Sequence, residues 1–487
     1  MHPLARPLTA CARVPRVAIV GAGWAGLSAA VQAVQRGWSV TVLEMAPQPG
    51  GRARSQAIDD RTAAGAERAP ADNGQHILIG AYVRTLALMR TVGVDPRTVL
   101  WRGPLALVGP DGHGLRLGRG PTALAFARAV ASHPQWSWPA RISLLRHALS
   151  WRLQGFDCAD DLRVGQLCAT LHPQVMASLI EPLCVAALNT SAEQASARVL
   201  LRVLGDSLAG GPGHADLLLP AAALQALLPG PAWRWLQARG AGLHLRQRVH
   251  RIDRTDDGRL RLTLPPATAD TPELRSLAAP WDGVVLACAA TEAARLAEPL
   301  APDWAACNRG LAHEPILTVW LREPGLRLAH PMVTLPARPA GPAQFAFDLA
   351  QCRGDGTHQP PLPHPDSGLQ AWVASAPTPW LDAGIDGAAR ATLEQARALY
   401  PGHFVAPDAQ VEARCERRAT FRCTPGLRRP GTVVAPALVA AGDHIDGPYP
   451  ATLEGAVRSG EAAVQALAHA IGADQDIPGF VMQNKGT

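Results

Sequence analysis

The chain has 487 residues, 47% of them hydrophobic and 18% charged, with a formal net charge of +6. This length exceeds one simple core and implies two domains or one large domain with an insertion, and the composition excludes a globally disordered chain. The basic excess is almost wholly arginine, Lys485 being the sole lysine, and no basic run is interleaved with aromatics, which argues against nucleic acid as a partner.

Residues 1–14 hold arginines but no apolar core of a secretory leader, and read as a tail. Val17–Gly21 is a short apolar run ending in a glycine turn, and the Ala/Leu/Val-rich segment Trp24–Arg36 closes at Gly37. A buried strand, a helix and a glycine C-cap follow directly. Ser39–Glu44 alternates β-branched residues and predicts the second parallel strand of a βαβ unit. Arg141–Leu208 is mostly helical in periodicity. His244–Asp253 and Leu260–Leu264 flank Asp256-Asp257-Gly258 and predict a hairpin, and Gly283–Ala287 another buried strand. Leu317–Leu321, Phe345–Leu349 and Leu369–Ser375 predict a second set of strands, with proline-rich loops at Pro331–Pro342 and Pro360–Pro365. Leu438–Gly442 reads as a strand and Thr452–Ile471 as a long helix with small residues on one face.

The longest apolar approach, Leu217–Trp233, is broken by three prolines, so no membrane-crossing helix is expected. Its first part, Leu217–Leu228, reads either as the mouth for a long apolar ligand or as an ordinary core helix and loop. The nine cysteines are scattered without a C-x-x-C pair, which suits a reducing cytoplasm and neither a disulfide frame nor a metal site. The expected class is α/β: a discontinuous Rossmann nucleotide domain from 15–110, 240–300 and 425–475. An α+β substrate domain from 111–239 and 301–424 is inserted into it, with tails at 1–14 and 476–487.

Gly21-Ala22-Gly23-Trp24-Ala25-Gly26 is a G-x-G-x-x-G between strand and helix. Gly21 permits the tight turn, Gly23 lets the backbone approach a pyrophosphate, and Gly26 lets the helix pack on the strand. The free N–H groups of the helix start, at Trp24 and Ala25, suit an anionic phosphate. Glu44, ending the second strand, can accept the ribose hydroxyls and would repel a 2′-phosphate. Gly50-Gly51-Arg52 follows within a few residues, and its arginine can neutralise a pyrophosphate.

At these residues the chain resembles the flavin amine oxidase and phytoene desaturase superfamily, whose glutathione-reductase-like domain binds FAD. Ala440-Ala441-Gly442-Asp443 and Pro450–Ala456 are similar to the superfamily's C-terminal flavin motif. The resemblance implies that Asp443 lies at the ribityl–pyrophosphate region. It also implies that the helix start at Thr452 and Leu453 faces the flavin ring, and that the backbone of Val249, in an Arg248–His250 strand, meets adenine. No cysteine adjoins the C-terminal motif, so the FAD is expected to be non-covalent, and no second G-x-G-x-x-G follows a strand to bind NAD(P)H.

A narrower resemblance spans nearly the whole chain. Asp72-Asn73-Gly74-Gln75-His76-Ile77-Leu78, Glu181-Pro182-Leu183-Cys184, Ala187–Thr190 and Ala215–Pro220 resemble the squalene-associated FAD-dependent desaturases, described as hydroxysqualene dehydroxylases of hopanoid synthesis. It implies reductive loss of a hydroxyl from a long isoprenoid, a functional link to squalene and hopanoid pathway enzymes, and permits peripheral contact with the inner face of the membrane. His76 and Asp72 are then the candidate acids; Gln75, Asn189, Thr190 and Leu217 are the candidate substrate residues. Asp72 as a turn or loop cap, His76 as a satisfied buried histidine, Glu181 as a buried hydrogen-bonding residue, and Asn189 and Thr190 as helix caps are the competing structural roles. A carotenoid-type desaturase shares the flavin motifs. An amine oxidase needs an aromatic cage and often a lysine, against three tyrosines and a single lysine here. Non-enzymatic Rab-escort-like binders share the fold, but Glu44, Gly51-Arg52 and Gly442-Asp443 favour true flavin binding.

Overall fold

The apolar run Arg16–Val20 lies near the middle of a six-stranded sheet, where both faces are covered and near-continuous hydrophobicity is required. In the computed structural model, which describes residues 13–58, 69–265, 276–336, 341–353, 368–404 and 410–473, the order across this sheet is Gly242–His244, Ser39–Leu43, Arg16–Val20, Gly283–Leu286, Leu438–Ala440 and Val433–Ala435. The first five strands run parallel and the last is antiparallel. Helix Trp24–Gln35 crosses between the first two strands in sequence, and its chain turns at Gly37 with φ +77°. Against it packs the C-terminal helix Leu453–Ala470. Small residues set that approach: a Cβ on Gly460 would stand 2.4 Å from the Ala25 carbonyl oxygen. Ser28 Oγ also donates to the Val457 carbonyl at 2.8 Å.

A second body is built on a five-stranded antiparallel sheet ordered Met332–Thr334, Phe345–Asp348, Leu369–Ser375, His313–Arg322 and Gln410–Phe421. Helices Thr122–Ala131, Trp138–Leu153, Glu181–Leu188 and Ala197–Ala209 complete it around one apolar core. Helix Glu181–Leu188 is preceded by a π-helical turn at Met176–Ile180. Pro182 accounts for the widening, since it has no N–H to donate back and its ring would meet the carbonyl one α-turn earlier. The hairpin Arg251–Arg254 with Leu260–Thr263 forms as its Asp-Gly turn predicts.

Four readings change. Met332–Thr334, inside the proline-rich stretch expected as a loop, is the edge strand of the five-stranded antiparallel sheet, its residues pairing with Phe345–Phe347. Val249 is buried but lies outside any strand, in the extended link between Gly242–His244 and the hairpin, whose pairing begins only at His250. Leu217–Pro220 is the middle strand of a small antiparallel sheet between Leu78–Ile79 and Leu100–Gly103, all four residues buried. Leu224, Leu227 and Leu228 pack into the core around helix Trp24–Gln35, so Leu217–Leu228 is interior structure and not an open mouth. Strand Gln410–Phe421 was not anticipated, because its charges masked a period-2 pattern in which Val411, Ala413 and Cys415 face the core. The loop 360–365, Lys485 and residues 1–12 and 474–487 lie outside the described residues.

The helix crossing yields a stability test. Gly460→Ala forces a Cβ onto backbone and should cost about 1–3 kcal/mol, seen as a lowered melting temperature. Gly118→Ala, where a Cβ meets nothing within 4 Å, should leave the melt unchanged.

Candidate functional site

Where Arg16–Val20 ends, the chain must turn into a helix without room for side chains. Gly21 has φ +111°, and a Cβ there would lie 2.5 Å from the Ala287 carbonyl oxygen; one on Gly26 would lie 1.9 Å from the Gly21 carbonyl oxygen. Helix Trp24–Gln35 begins at Gly23 with no side-chain cap and no acid in its first turn. Its leading N–H groups therefore keep their capacity for an external acceptor. Glu44, buried at the end of the neighbouring strand, accepts from the amides of Ala22 and Ala46 at 2.7 Å each. Its main chain is clamped to the Gly242–His244 side through Glu44 N to the His244 carbonyl and Gln247 N to the Glu44 carbonyl. Val249 thereby lies a few residues beyond Glu44's partners, its carbonyl accepting from Arg295 Nη2 at 2.8 Å.

The Gly50-Gly51 pair is used as a pair: φ is +122° and +62°, and a Cβ on Gly51 would come within 3.1 Å of Gly23 Cα. Trp24 Nε1 donates to the Ala53 carbonyl at 3.0 Å, which holds this loop over the helix start. Arg52 then reaches across the molecule. One guanidinium nitrogen donates to the Ala419 carbonyl at 2.6 Å, and another pairs with Asp443 Oδ1. Burial works to raise the Asp443 pKa, but Arg52 and His444 outweigh it and hold the carboxyl well below its usual range. Attraction to Asp443 likewise raises the Arg52 pKa. Gly442 N donates to Ser459 Oγ at 2.8 Å, and Thr452 caps the C-terminal helix through Gly455 N at 2.9 Å. Leu453 opens that helix, while Glu454, wholly buried, turns away to accept from the amides of Arg84 and Thr85. That second cap was not read from the sequence.

The Asp72–Leu78 stretch divides by role. Asp72 is buried, and its Oδ1 accepts from Ser55 Oγ at 2.7 Å and Leu224 N at 2.9 Å, which makes it a cap and cross-link. Burial raises its pKa despite those two bonds. Asn73 Nδ2 donates to the Arg52 carbonyl at 2.9 Å, laying the following residues beside the arginine. His76, half-buried, has Nδ1 3.2 Å from the Gly74 carbonyl. Burial, reinforced by the Arg52 charge, lowers its pKa to about 4, so the imidazole is neutral at pH 7 with Nε2 as the lone-pair nitrogen. Gln75 is half-buried beside it.

Asn189 closes helix Glu181–Leu188 in the left-handed region, φ +48°. Its Nδ2 donates to Thr420 Oγ1 at 2.8 Å, while its buried Oδ1 has no partner among the described residues. Thr190 is turned inward onto the Leu188 carbonyl, and Glu181 accepts from Ala192 N at 3.0 Å, both local bonds. Leu217 lies in the small sheet described above. Thr420 and Ala419 belong to strand Gln410–Phe421, which therefore touches both Asn189 and Arg52; these residues escaped the sequence reading together with their strand. At the other end of the same helix lies a small apolar cleft of about 40 Å³, lined wholly by apolar residues such as Leu107, Phe126, Trp151, Leu179, Ile180 and Leu183.

Residues 24–468 match the family described as flavin containing amine oxidoreductase. The chain belongs to this family. Within it, the chain is 29% identical over 469 residues to a hydroxysqualene dehydroxylase of Sinorhizobium fredii, covering 92% of this chain and 97% of the relative. It is 25% identical to another of that name from Zymomonas mobilis, covering 93% and 99%. A protein of Synechococcus elongatus named as a probable zeta-carotene desaturase matches at 29% over half of each chain, 50% and 52%. In fold, the family member resembles an oxidoreductase from Methanosarcina mazei, with a TM-score of 0.67 at 15% identity over 92% and 99% of the chains. Cyclohexylamine oxidase from Brevibacterium oxydans gives 0.61 at 19% identity over 94% and 100%.

The protein is thus an FAD-dependent oxidoreductase with a Rossmann-type FAD-binding fold. Its own residues fit that cofactor: the glycine cradle at Gly21, Gly23 and Gly51, the uncapped helix start, and a buried His444 Nε2 that no described residue satisfies. Asp443→Asn should lower flavin content, measured by absorbance. The depressed pKa of Asp443 means its contribution to stability is whole above about pH 4, the ordinary carboxylate value, and is lost as pH falls further. The melting difference between wild type and variant should therefore shrink only below that pH.

Proposed function

We propose that this enzyme removes the hydroxyl group of hydroxysqualene reductively, giving squalene and water. The observation that carries this reading is the hydrocarbon-lined cleft, joined by one helix to a polar end at Asn189, which bonds Thr420 on the strand whose neighbouring Ala419 accepts from Arg52. The names of relatives that align over nearly the whole chain support it. Gly21, Gly23, Gly26 and the amides of Trp24 and Ala25 hold the pyrophosphate of FAD, Glu44 the adenosine ribose and the Val249 backbone the adenine. Gly51, Arg52, Gly442 and Asp443 hold the middle of the cofactor, and the helix start at Thr452 and Leu453 its ring. Once reduced, the cofactor supplies the hydride.

The chain's own residues supply the proton, the dryness and the orientation. Loss of a hydroxyl as water requires an acid, and the cleft keeps competing water away from the cationic carbon. Asn189 Oδ1 accepts the substrate hydroxyl proton, which orients the C–O bond. His76, beside Arg52, gives the proton to the leaving oxygen; Asp72 is the second candidate, and Gln75, Thr190 and Leu217 shape the surrounding wall. A carotenoid-type desaturation is the alternative, favoured by the half-length match to the cyanobacterial protein.

The decisive test is single turnover: chemically reduced holoenzyme mixed with hydroxysqualene should yield squalene while its flavin reoxidises. Unconverted alcohol with flavin that stays reduced would move the assignment to the desaturase alternative. His76→Gln should lower turnover per bound flavin by about 10²-fold or more without lowering flavin content. With a pKa of about 4, the protonated fraction of His76 rises about tenfold for each unit from pH 7 to 5, and wild-type turnover should rise with it. A flat profile in wild type transfers the acid role to Asp72.

A further inference from the structure

Residues 112–156 contain six arginines and no aspartate or glutamate, so the remaining 442 residues carry equal numbers of acids and bases. The formal excess of the chain resides in this one segment. Within it, helix Trp138–Leu153 carries apolar residues on its outward face as well as its inward one. Trp138, Ile142, Leu149 and Leu153 are 67%, 53%, 58% and 80% exposed, and at 100° per residue they share a narrow stripe. Arg146 borders the stripe on one side and Arg152 on the other, both exposed. Leu124, on the adjoining helix Thr122–Ala131, is a further exposed leucine at 46%. The opposite face of the same helix, through Leu144, Ala148 and Trp151, lines the hydrocarbon cleft.

We propose that this helix is the surface by which the protein docks on an anionic lipid bilayer, lying in the plane of the interface. Exposed leucines and a tryptophan flanked by arginines match the acyl–headgroup boundary, where apolar groups enter and cations meet lipid phosphates. Continuity with the cleft supplies the second argument: an apolar ligand leaving the bilayer has only one helix thickness to pass. The isoprenoid nature of that ligand rests on the proposed function; the docking itself does not.

The test uses purified holoenzyme and vesicles of phosphatidylcholine with or without phosphatidylglycerol, measured by co-sedimentation. Wild type should bind the anionic vesicles and lose binding at high salt. Leu149→Ser with Leu153→Ser should weaken binding at least about tenfold, and Arg146→Gln with Arg152→Gln by about fivefold per arginine. Flavin content, melting temperature and turnover of detergent-dispersed substrate should be unchanged in both variants. Wild type that ignores anionic vesicles, or variants that bind as wild type does, would overturn the proposal. So would a wild-type dimer that Leu149→Ser with Leu153→Ser splits, since the stripe would then be covered by a second copy. Failure of wild type to convert dispersed hydroxysqualene would instead remove the proposed reaction and leave the docking result standing.

Discussion

The ion pair between Arg52 and Asp443 joins side chains 391 positions apart, and the site depends on it. Asp443 is buried while the Arg52 side chain is 36% exposed, so the carboxylate is the charge that breaking the pair would strand. Around it the backbone is drawn in by glycines: Gly51 against Gly23, and Gly460 against Ala25. The pair also recruits the second body, because Arg52 donates to the Ala419 carbonyl on the long strand Gln410–Phe421. One guanidinium thus fixes the first glycine loop, the C-terminal motif and the edge of the five-stranded sheet relative to each other. Displacing it would move all three.

Polarity is distributed along helix Glu181–Leu188 in a way that suits an apolar molecule with one reactive end. The preceding π-turn and the helix present Leu179, Ile180 and Leu183 to the cleft, and the C-cap presents the Asn189 amide toward Thr420. Charge is kept around Arg52 and Asp443, where buried groups are paired or strongly shifted. At the cleft only carbon is offered, so a polar ligand would lose its hydration without compensation.

Much of this was legible in one sequence. The βαβ unit, the glycine fingerprints and the buried apolar strands such as Gly283–Leu286, Phe345–Asp348 and Leu369–Ser375 carry strong local signals, because turns with positive φ and fully buried strands restrict residue choice severely. Asp72 was legible as a residue to notice, and its capping role as one of two open readings. What failed was nonlocal. Leu217–Leu228 looks identical as a mouth or as core until Leu78–Ile79 and Leu100–Gly103 are seen on either side of its strand. Strand Gln410–Phe421 hid behind its charges, and with it the contacts of Ala419 and Thr420. Glu454 gave no sign that it would cap a helix starting at Val83, since the two are brought together only by the fold.

The interleaved order of the six-stranded sheet has a consequence for biosynthesis. Its strands come from early, middle and late parts of the sequence, and the second helix packed on it, beside Trp24–Gln35, starts only at Leu453. A nascent chain emerging from the ribosome therefore holds two adjacent parallel strands, Arg16–Val20 and Ser39–Leu43, as an unfinished template through nearly all of translation. Contacts of such sequence separation form slowly, and open strand edges invite mispairing in the interval. The inserted second body, with its own core, can condense first and keep the template's ends apart. Completion of the sheet therefore waits on synthesis of Leu438–Ala440 and of the helix Leu453–Ala470.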